Sequence, residues 1–220
     1  MELIEAIKQR HSVRQYLDKE IPQDIIAELQ AEIDACNKDS GLNIQLVTNE
    51  PKAFEGFLAH YGKFSGVKNY FALVGKKSND FYELCGYYGE RLVLRAQQLG
   101  LNTCWVALTY KKIPAAFKVE KKEKLAVVIS VGYGKTQGVN RKSKSLSQVS
   151  NASEQTPEWF NEGVKSALLA PTAVNQQQFK LIYENGKVTS KAGLGFYAKM
   201  DLGIIKYHFE VASGVKIFNK

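Results

Sequence analysis

Two arginines and a serine occupy alternate positions near the N-terminus, in the stretch QRHSVRQY. If this stretch is extended, the side chains of Arg10, Ser12 and Arg14 point to the same side of the chain. Two guanidinium groups and a hydroxyl group on one side can together bind a phosphate. The same arginines could instead form ordinary surface salt bridges, so the spacing alone leaves both interpretations open.

A second polar stretch, LAPTAVNQQQF from Leu169 to Phe179, lies between an apolar run and a segment typical of a strand. Amide and hydroxyl groups are costly to bury unless each has a hydrogen-bond partner. So many of them in one loop raises the expectation of a bound ligand.

The composition is that of an ordinary globular protein. The 220 residues are 45% hydrophobic and 24% charged. No apolar run is long enough for a transmembrane helix, and the N-terminus does not have the pattern of a secretory signal. Cys36, Cys85 and Cys104 form no CxxC pair. We therefore expect no membrane association, no disulfide framework, no metal site and a reducing, cytoplasmic location.

The formal net charge of +8 suits acidic partners. These could be nucleic acid, a membrane surface or small molecules that carry phosphate. Glu120 and Glu123 dilute the lysines between Lys111 and Lys124. Most of these lysines are expected to form a solvated surface.

Hydrophobic periodicity predicts helices and several short strands, which together indicate an α+β fold built around a sheet. Asn185-Gly186 between two strand-like runs predicts a hairpin. The predicted helices cover residues 2–9, a segment starting at Pro22, 54–60, 80–98, 159–170 and 198–212, and the predicted strands cover 43–51, 69–76, 103–110 and 124–134. Residues 135–155 are predicted to form a loop or linker.

The chain also contains a weak internal repeat. An offset of 135 residues places Ala170 on Ala35 and Phe179 on Ile44, and an offset of 114 places Gly203 on Gly89. Few residues are identical, so chance similarity between amphipathic helices is the alternative. If the repeat is real, residues 1–150 form a full lobe and residues 151–220 a shortened lobe within one compact unit. Such a chain could imitate a two-fold dimer.

Three segments resemble motifs of the FMN-dependent nitroreductase family, and the match is closest to the group called putative TM nitroreductases. They are RHSVRQYLDKEIPQDII, LRAQQLGLNTCWVAL and APTAVNQQQFKL. The resemblance implies a central mixed or antiparallel sheet flanked by helices. It also implies an enzyme that binds FMN and uses NAD(P)H to reduce nitroaromatics, quinones or similar electron-poor acceptors.

The resemblance implies a set of cofactor-binding residues. Arg10 and Ser12 would bind the FMN phosphate, with Arg14 and the His11 backbone nearby. The loop residues would lie against the isoalloxazine or ribityl, and the backbone after the central helix would pass the flavin N5 edge, where Ala107 replaces a frequent glycine. The remaining residues are Arg141 and Lys142 for the phosphate, Trp105, Val106 and Ala107 for the N5 edge, and Pro171, Thr172, Asn175 and Gln177 for the loop. Catalysis would need no obligatory side-chain base.

The position of the loop motif is unusual for the family. In ordinary members it follows the first long helix, where this chain has ACNKDSGLN, and it reaches a flavin bound mainly by the other subunit. Here the motif comes in the second half. We therefore predict that the second half supplies in cis what a partner subunit usually supplies, which gives one flavin per chain and lets a single chain replace the family homodimer.

Two other functions remain as alternatives at this point. The first is a protein of the same fold that binds, senses or degrades flavin without turnover. The second is a basic nucleic-acid-binding module, which the enzyme interpretation disfavours.

The sequence leaves the roles of three further side chains open. His208 is expected to be packed or exposed rather than catalytic. Tyr87 and Tyr88 could line the substrate side of the flavin or pack in the core.

Overall fold

The structure is a computed structural model that describes residues 1–218. The chain divides into two compact units. The first, called the sheet unit, comprises residues 10–81 and 92–139. The second, called the helix unit, comprises residues 1–9, 82–91 and those from Asn140 onward. Among the described residues, no helix has the length and apolar character needed to cross a membrane.

The sheet unit is built on four antiparallel strands in the order β1-β2-β4-β3. The strands are β1 (Asn43–Val47), β2 (Asn69–Lys76), β3 (Asn102–Val106) and β4 (Glu123–Gly132). Seven of the eight β2 residues are buried, which is expected for a central strand with both faces covered. The helices here are α2 (Gln23–Ser40) and α3 (Phe57–Tyr61).

Helix α2 follows Pro22, as its sequence predicts. Proline suits a helix start because the first turn needs no N–H from it. The helix buries Leu29, Ile33 and Cys36, which recur at helical spacing along one face. It ends at Gly41, whose φ of 73° lies in the left-handed region that favours glycine.

The helix unit contains one two-stranded sheet and several helices. Strands β5 (Phe179–Glu184) and β6 (Lys187–Ala192) pair through the predicted turn at Asn185-Gly186. Both turn residues have positive φ, as a tight hairpin requires. The helices of this unit are α1 (Leu3–Gln9), α5 (Leu146–Val149), α6 (Glu158–Ala167) and α7 (Ala198–Ser213), together with residues 82–91 of α4 (Phe81–Gln98).

Within the helix unit, α4 and α7 approach so closely that glycine is required at the crossing. A Cβ added at Gly86 would lie 2.0 Å from the carbonyl oxygen of Met200. A Cβ added at Gly203 would lie 2.1 Å from the carbonyl oxygen of Glu83. Both contacts are with backbone atoms, which cannot rotate away as a side chain can. The two glycines therefore set the distance between the helices.

The same crossing decides the open roles of two side chains. Tyr87 stacks on Phe218 with ring centroids 4.1 Å apart, and its hydroxyl donates to the Glu210 carboxylate at 2.7 Å. His208 is fully buried, with Nε2 2.8 Å from Glu90 Oε1. Both side chains are therefore core groups of the helix unit.

The structure confirms the α+β fold class and corrects several boundaries. The strand predicted over residues 103–110 ends at Val106. Beyond it the chain leaves the sheet, and the Lys111 N–H donates to the carbonyl of Ala53 at 2.8 Å. The helix predicted to reach Ala170 ends at Ala167, α3 begins later than predicted, and the predicted loop 135–155 contains the short helix α5.

The element bounds agree with the offsets of the internal repeat. An offset of 135 places the start of α2 on the start of α6 and Pro22 on Pro157. In each copy the next two strands pair antiparallel, and a long helix follows them. The compact units nevertheless differ from the predicted lobes 1–150 and 151–220, because α1 and residues 82–91 group with the C-terminal part. The pseudo-dimer stays a prediction.

We predict that Gly86→Ala and Gly203→Ala each lower the free energy of unfolding by about 3 kcal/mol. The added methyl group would force the helix backbones apart, and that cost exceeds the gain of about 1 kcal/mol from the better helix propensity of alanine. Urea denaturation followed by circular dichroism measures the change.

Gly56→Ala is the matched control. No atom lies within 4 Å of a Cβ added at Gly56, and its φ of −86° is open to any residue. Its effect should stay below about 1 kcal/mol. Equal effects of all three substitutions would contradict the close helix approach.

Candidate functional site

The segment from Arg10 to Leu17 is extended and pairs with the sheet unit on both sides. The Val13 N–H donates to the Thr103 carbonyl at 3.0 Å, beside a bridge between Ser12 and Thr103. The Leu17 N–H donates to the Tyr133 carbonyl at 2.8 Å. The segment is thus attached to the edge strand β3, as its predicted extended conformation allows.

A buried tyrosine fixes this segment to the interior of the sheet unit. The Tyr16 hydroxyl donates to the Val13 carbonyl at 2.7 Å and lies 2.8 Å from Ser130 Oγ. Burial raises the pKa of Tyr16 well above its ordinary value. The hydroxyl therefore stays protonated and available as a donor at neutral pH.

Arg10, Ser12 and Arg14 all influence the thiol of Cys104 in β3. Burial raises the pKa of the Cys104 thiol, while Arg14, a hydrogen bond with Ser12 and Arg10 act in the opposite direction. Ser12 therefore contacts the thiol, and both arginines lie within electrostatic range of it. We call Arg10, Ser12 and Arg14 the clamp, and their binding of a phosphate stays a prediction.

His11 packs closely against Gly138, in the loop after β4. A Cβ added at Gly138 would be 2.5 Å from His11 Cβ, and Gly138 has a φ of 80°. Only glycine combines this φ with so close an approach. The loop is thereby held against the backbone of the clamp segment, where the family resemblance expects a phosphate contact.

The predicted N5-edge residues line an open cavity of about 390 Å³ in the sheet unit. Trp105, Val106 and Ala107 form part of its wall together with Arg14. The other lining residues, which the sequence did not single out, are Tyr61, Gly62, Lys63, Phe64 and Thr109. Taken together, the lining residues of the cavity include two cationic side chains, Arg14 and Lys63, three aromatic rings and no carboxylate.

In the helix unit, the loop after α6 is tied to residues 141–144. Arg141 donates from Nη2 to the carbonyls of Leu169 at 2.7 Å and Ala170 at 2.6 Å. The Asn175 side chain donates to the Lys142 carbonyl at 2.8 Å. The structure therefore brings the predicted basic residues and the predicted loop together, and the Arg141 guanidinium contributes to holding the C-terminal end of α6.

Gln177 is the centre of the loop's own hydrogen bonds. Its Oε1 accepts from the Lys144 N–H at 2.7 Å, and its Nε2 donates to the Leu168 carbonyl at 2.9 Å and to Ser143 Oγ at 3.1 Å. The Gln177 N–H donates to Thr172 Oγ1 at 3.1 Å. Gln177 and Thr172 are both buried and paired with protein groups, so they shape the loop directly.

One buried acceptor in the loop lacks a protein partner. Asn175 Oδ1 is buried and accepts no hydrogen bond from the described residues. An unpaired buried acceptor is costly, and a ligand that donates an N–H or O–H group there would remove the cost. The isoalloxazine and ribityl of FMN carry both kinds of donor, so this atom fits the cofactor that the resemblance implies. Pro171 lies buried at the start of the same loop.

Asp201, in the first turn of α7, is a site residue that the sequence interpretation missed. Its carboxylate accepts from the Ala173 N–H at 3.0 Å and from Gln176 Nε2 at 2.7 Å. The periodicity of α7 marks it only as a polar position in an apolar stretch. That polarity among Met200, Leu202 and Ile204 is the signal that could have revealed it.

Burial raises the pKa of the Asp201 carboxyl to about 6, although the hydrogen bonds from Gln176 and Ala173 act in the opposite direction. The folded state therefore binds this proton more tightly than the unfolded chain, whose aspartates titrate near pH 3.9. The contribution of Asp201 to stability is largest below about pH 4 and is lost as the pH rises toward 6 and above.

We predict that the stability of the wild-type protein relative to Asp201→Asn falls by about 3 kcal/mol between pH 4 and pH 7.5, because asparagine does not titrate. Urea unfolding of both proteins across this range measures the difference, in which the other titrating groups cancel. A difference that does not vary with pH would contradict the raised pKa.

Comparison with known proteins identifies the family. The chain matches the family described as "Putative TM nitroreductase" over residues 2–213, and it belongs to this family of nitroreductases, which are oxidoreductases. No curated protein matches the chain.

Solved structures share the fold. A putative nitroreductase from Thermotoga maritima MSB8 has 23% identity and a TM-score of 0.67, covering 96% of this chain and 83% of that one. A putative nitroreductase in complex with FMN from Desulfovibrio desulfuricans has 18% identity and a TM-score of 0.55, covering 70% and 98%. A putative NADH dehydrogenase/NAD(P)H nitroreductase from Bacteroides thetaiotaomicron VPI-5482 has 20% identity and a TM-score of 0.53, and the match covers 70% of this chain and 98% of that one.

The predicted site residues fall into two groups. The sheet unit holds Arg10, His11, Ser12 and Arg14 with Trp105, Val106 and Ala107, and the helix unit holds Arg141, Lys142, Pro171, Thr172, Asn175 and Gln177. That both groups contact one flavin stays a prediction. Within residues 1–218, no group of three or more His, Cys, Asp or Glu side chains is arranged to bind a metal ion.

Proposed function

We propose that the protein is an FMN-dependent oxidoreductase that uses NAD(P)H to reduce nitroaromatics, quinones or similar electron-poor acceptors. Membership of the nitroreductase family supports the class of chemistry. The observation that carries the cofactor assignment is the extended segment with Arg10, Ser12 and Arg14 at alternate positions, which is attached to the edge strand β3.

The clamp has the chemistry that a phosphate monoester needs. Arg10 is 3% exposed, so its charge is held in a surrounding of low dielectric where an anion gains most from it. Ser12 adds a hydroxyl donor, and Arg14 is exposed and lies 5.9 Å over the Phe64 ring. We infer that these residues bind the FMN phosphate, with the His11 backbone beside them.

The remaining predicted residues suit the rest of FMN. Asn175 Oδ1 can accept from a ring N–H or a ribityl hydroxyl, and Pro171, Thr172 and Gln177 shape the loop around it. Trp105, Val106 and Ala107 line the cavity, and we infer that their backbone passes the flavin N5 edge. When bound, FMN supplies the hydride acceptor and donor, N5 of its ring. The protein binds and orients it, and no side chain acts as an obligatory base.

The cavity in the sheet unit suits the substrates that this chemistry requires. Trp105 and Tyr61 offer aromatic surface to a planar acceptor or a nicotinamide. Lys63 and Arg14 favour ligands that carry negative charge, which includes the phosphates of NAD(P)H. We infer a small-molecule acceptor rather than nucleic acid or a membrane, and the three free, buried cysteines suit a cytoplasmic location.

Reconstitution with FMN tests the proposal. Flavin and protein are quantified in one purified sample, and NADH or NADPH is added with a nitroaromatic or a quinone. We expect about one FMN per chain and oxidation of the nicotinamide that depends on the acceptor. Two flavins per chain would contradict a single site. Flavin retained without turnover would favour the flavin-binding alternative, and no flavin at all would overturn the proposal.

We predict that Ser12→Ala raises the dissociation constant for FMN about 10-fold to 100-fold and leaves that for riboflavin within about 2-fold. A hydrogen bond to a charged group contributes roughly 1.5–3 kcal/mol, and riboflavin lacks the phosphate that would accept it. Quenching of flavin fluorescence on titration with protein measures both constants.

Ser147→Ala is the control, because Ser147 is an exposed serine in α5, far along the chain from the clamp. It should leave both constants unchanged. Equal weakening of FMN and riboflavin by Ser12→Ala would show that Ser12 does not contact the phosphate.

A further inference from the structure

The loop that is proposed to contact the flavin is held in a conformation that its sequence does not favour. Val174, Asn175 and Gln177 have φ values of 45°, 56° and 45°. Positive φ is uncommon for residues other than glycine and is a genuine outlier for a β-branched residue such as valine. Val174 is 96% exposed, so its own side chain gains no packing from this conformation. Something else must hold the loop.

The loop has two anchors on the described residues of the helix unit. One is the segment 142–144, which contacts the side chains of Asn175 and Gln177. The other is Asp201, 3% exposed and placed in the first turn of the 16-residue helix α7. Its carboxylate oxygens accept the Ala173 N–H at 3.0 and 3.2 Å and Gln176 Nε2 at 2.7 Å. Ala173 and Gln176, which Asp201 holds, directly precede and follow Val174 and Asn175 in the chain.

The Gln176 amide is fixed in turn. Its Nε2 also donates to the Phe196 carbonyl at 2.8 Å. A Cβ added at Gly195 would lie 2.4 Å from Gln176 Oε1, so the side chain fits closely against the backbone there. Turning the amide over would lose both of its donated hydrogen bonds. The group that faces it must therefore be an acceptor.

A carboxylate meets this requirement and asparagine meets only half of it. Aspartate can accept from both the Ala173 N–H and the Gln176 amide, because it has two acceptor oxygens and no donor when ionised. Asparagine in the same place would keep one acceptor and turn a donor toward another donor. Alanine would remove the acceptor of the Ala173 N–H and one of the two acceptors of the Gln176 amide.

We propose that Asp201 is a positioning residue for flavin binding, which holds the Ala173–Gln176 turn so that Asn175 Oδ1 is presented to the ligand. The inference rests on the proposed function. Asp201 acts through the turn and does not itself touch the flavin. Loss of its carboxylate lets the turn relax toward negative φ values and removes the acceptor that the ring or ribityl would use.

The test compares FMN and riboflavin binding in Asp201→Ala, Asp201→Asn and the wild-type protein by fluorescence quenching. We expect Asp201→Ala to raise both dissociation constants equally, by about 30-fold, because two hydrogen bonds to a charged acceptor are lost and the loop does not contact the phosphate. Asp201→Asn should restore part of the affinity. Wild-type affinity in Asp201→Ala, or a loss confined to FMN, would overturn the proposal.

A control variant and a folding measurement separate the positioning role of Asp201 from a general loss of structure. Glu210→Gln changes another buried acid of α7, which accepts from Tyr87 and from the N–H groups of Ile217 and Phe218, and it should leave flavin binding unchanged. Comparable weakening by Glu210→Gln would overturn the proposal. Circular dichroism confirms that each variant is folded.

Amide hydrogen exchange of the flavin-free proteins gives a measurement that does not depend on the proposed function. The Ala173 amide should lose protection in Asp201→Ala and keep it in Asp201→Asn. If the wild-type protein bound no flavin, the proposed function would fail, and lost protection at Ala173 would still support the holding of the turn by Asp201. Unchanged protection in Asp201→Ala would overturn it.

Discussion

The segment from Arg10 to Leu17 belongs to no helix or strand, and its position depends on the edge of β3. The hydrogen bond from Val13 to Thr103 and the buried hydroxyl of Tyr16 decide where the segment lies. Two guanidinium groups placed near the same thiol repel each other, and an anionic ligand would offset that repulsion. The sheet thus fixes the position of the segment that carries these charges, and the proposed binding of an anion depends on that position.

The loop after α6 in the helix unit is held differently, by side-chain hydrogen bonds rather than by the edge of a sheet. Its polar groups are paired with residues 141–144, with residues at the end of α6 and with Asp201, whereas the buried Asn175 Oδ1 has no hydrogen-bond partner among the described residues. In this loop, hydrogen bonds that fix one backbone conformation offset the free-energy cost of the positive φ values and of burying the Asp201 carboxylate. The clamp carries positive charge, whereas the loop has a fixed shape held by hydrogen bonds.

The sequence predicts those features whose cause is local. Pro22 and Pro157 mark helix starts because proline suits the first turn, and Asn185-Gly186 marks the hairpin because both residues tolerate positive φ. The ends of β3 and α6 were predicted too late. The residues after each observed end contact a distant segment, since Lys111 binds Ala53 and the carbonyls of Leu169 and Ala170 accept from Arg141. Such contacts are not visible in the local sequence. The role of Asp201 was missed for the same reason, because its partners lie 25 and 28 residues away.

The interleaving of the two units also constrains the order in which the chain can fold. The sheet unit is complete once residue 139 has left the ribosome, whereas the helix unit needs the chain beyond Asn140. Helix α1 and the first half of α4 therefore pack into the helix unit only after the later residues are made. Until then, surfaces such as the apolar face around Ile7 and the α7-facing side of Gly86 are exposed. During synthesis this exposed surface is open to non-native association, and its lifetime depends on how quickly the last third of the chain is translated.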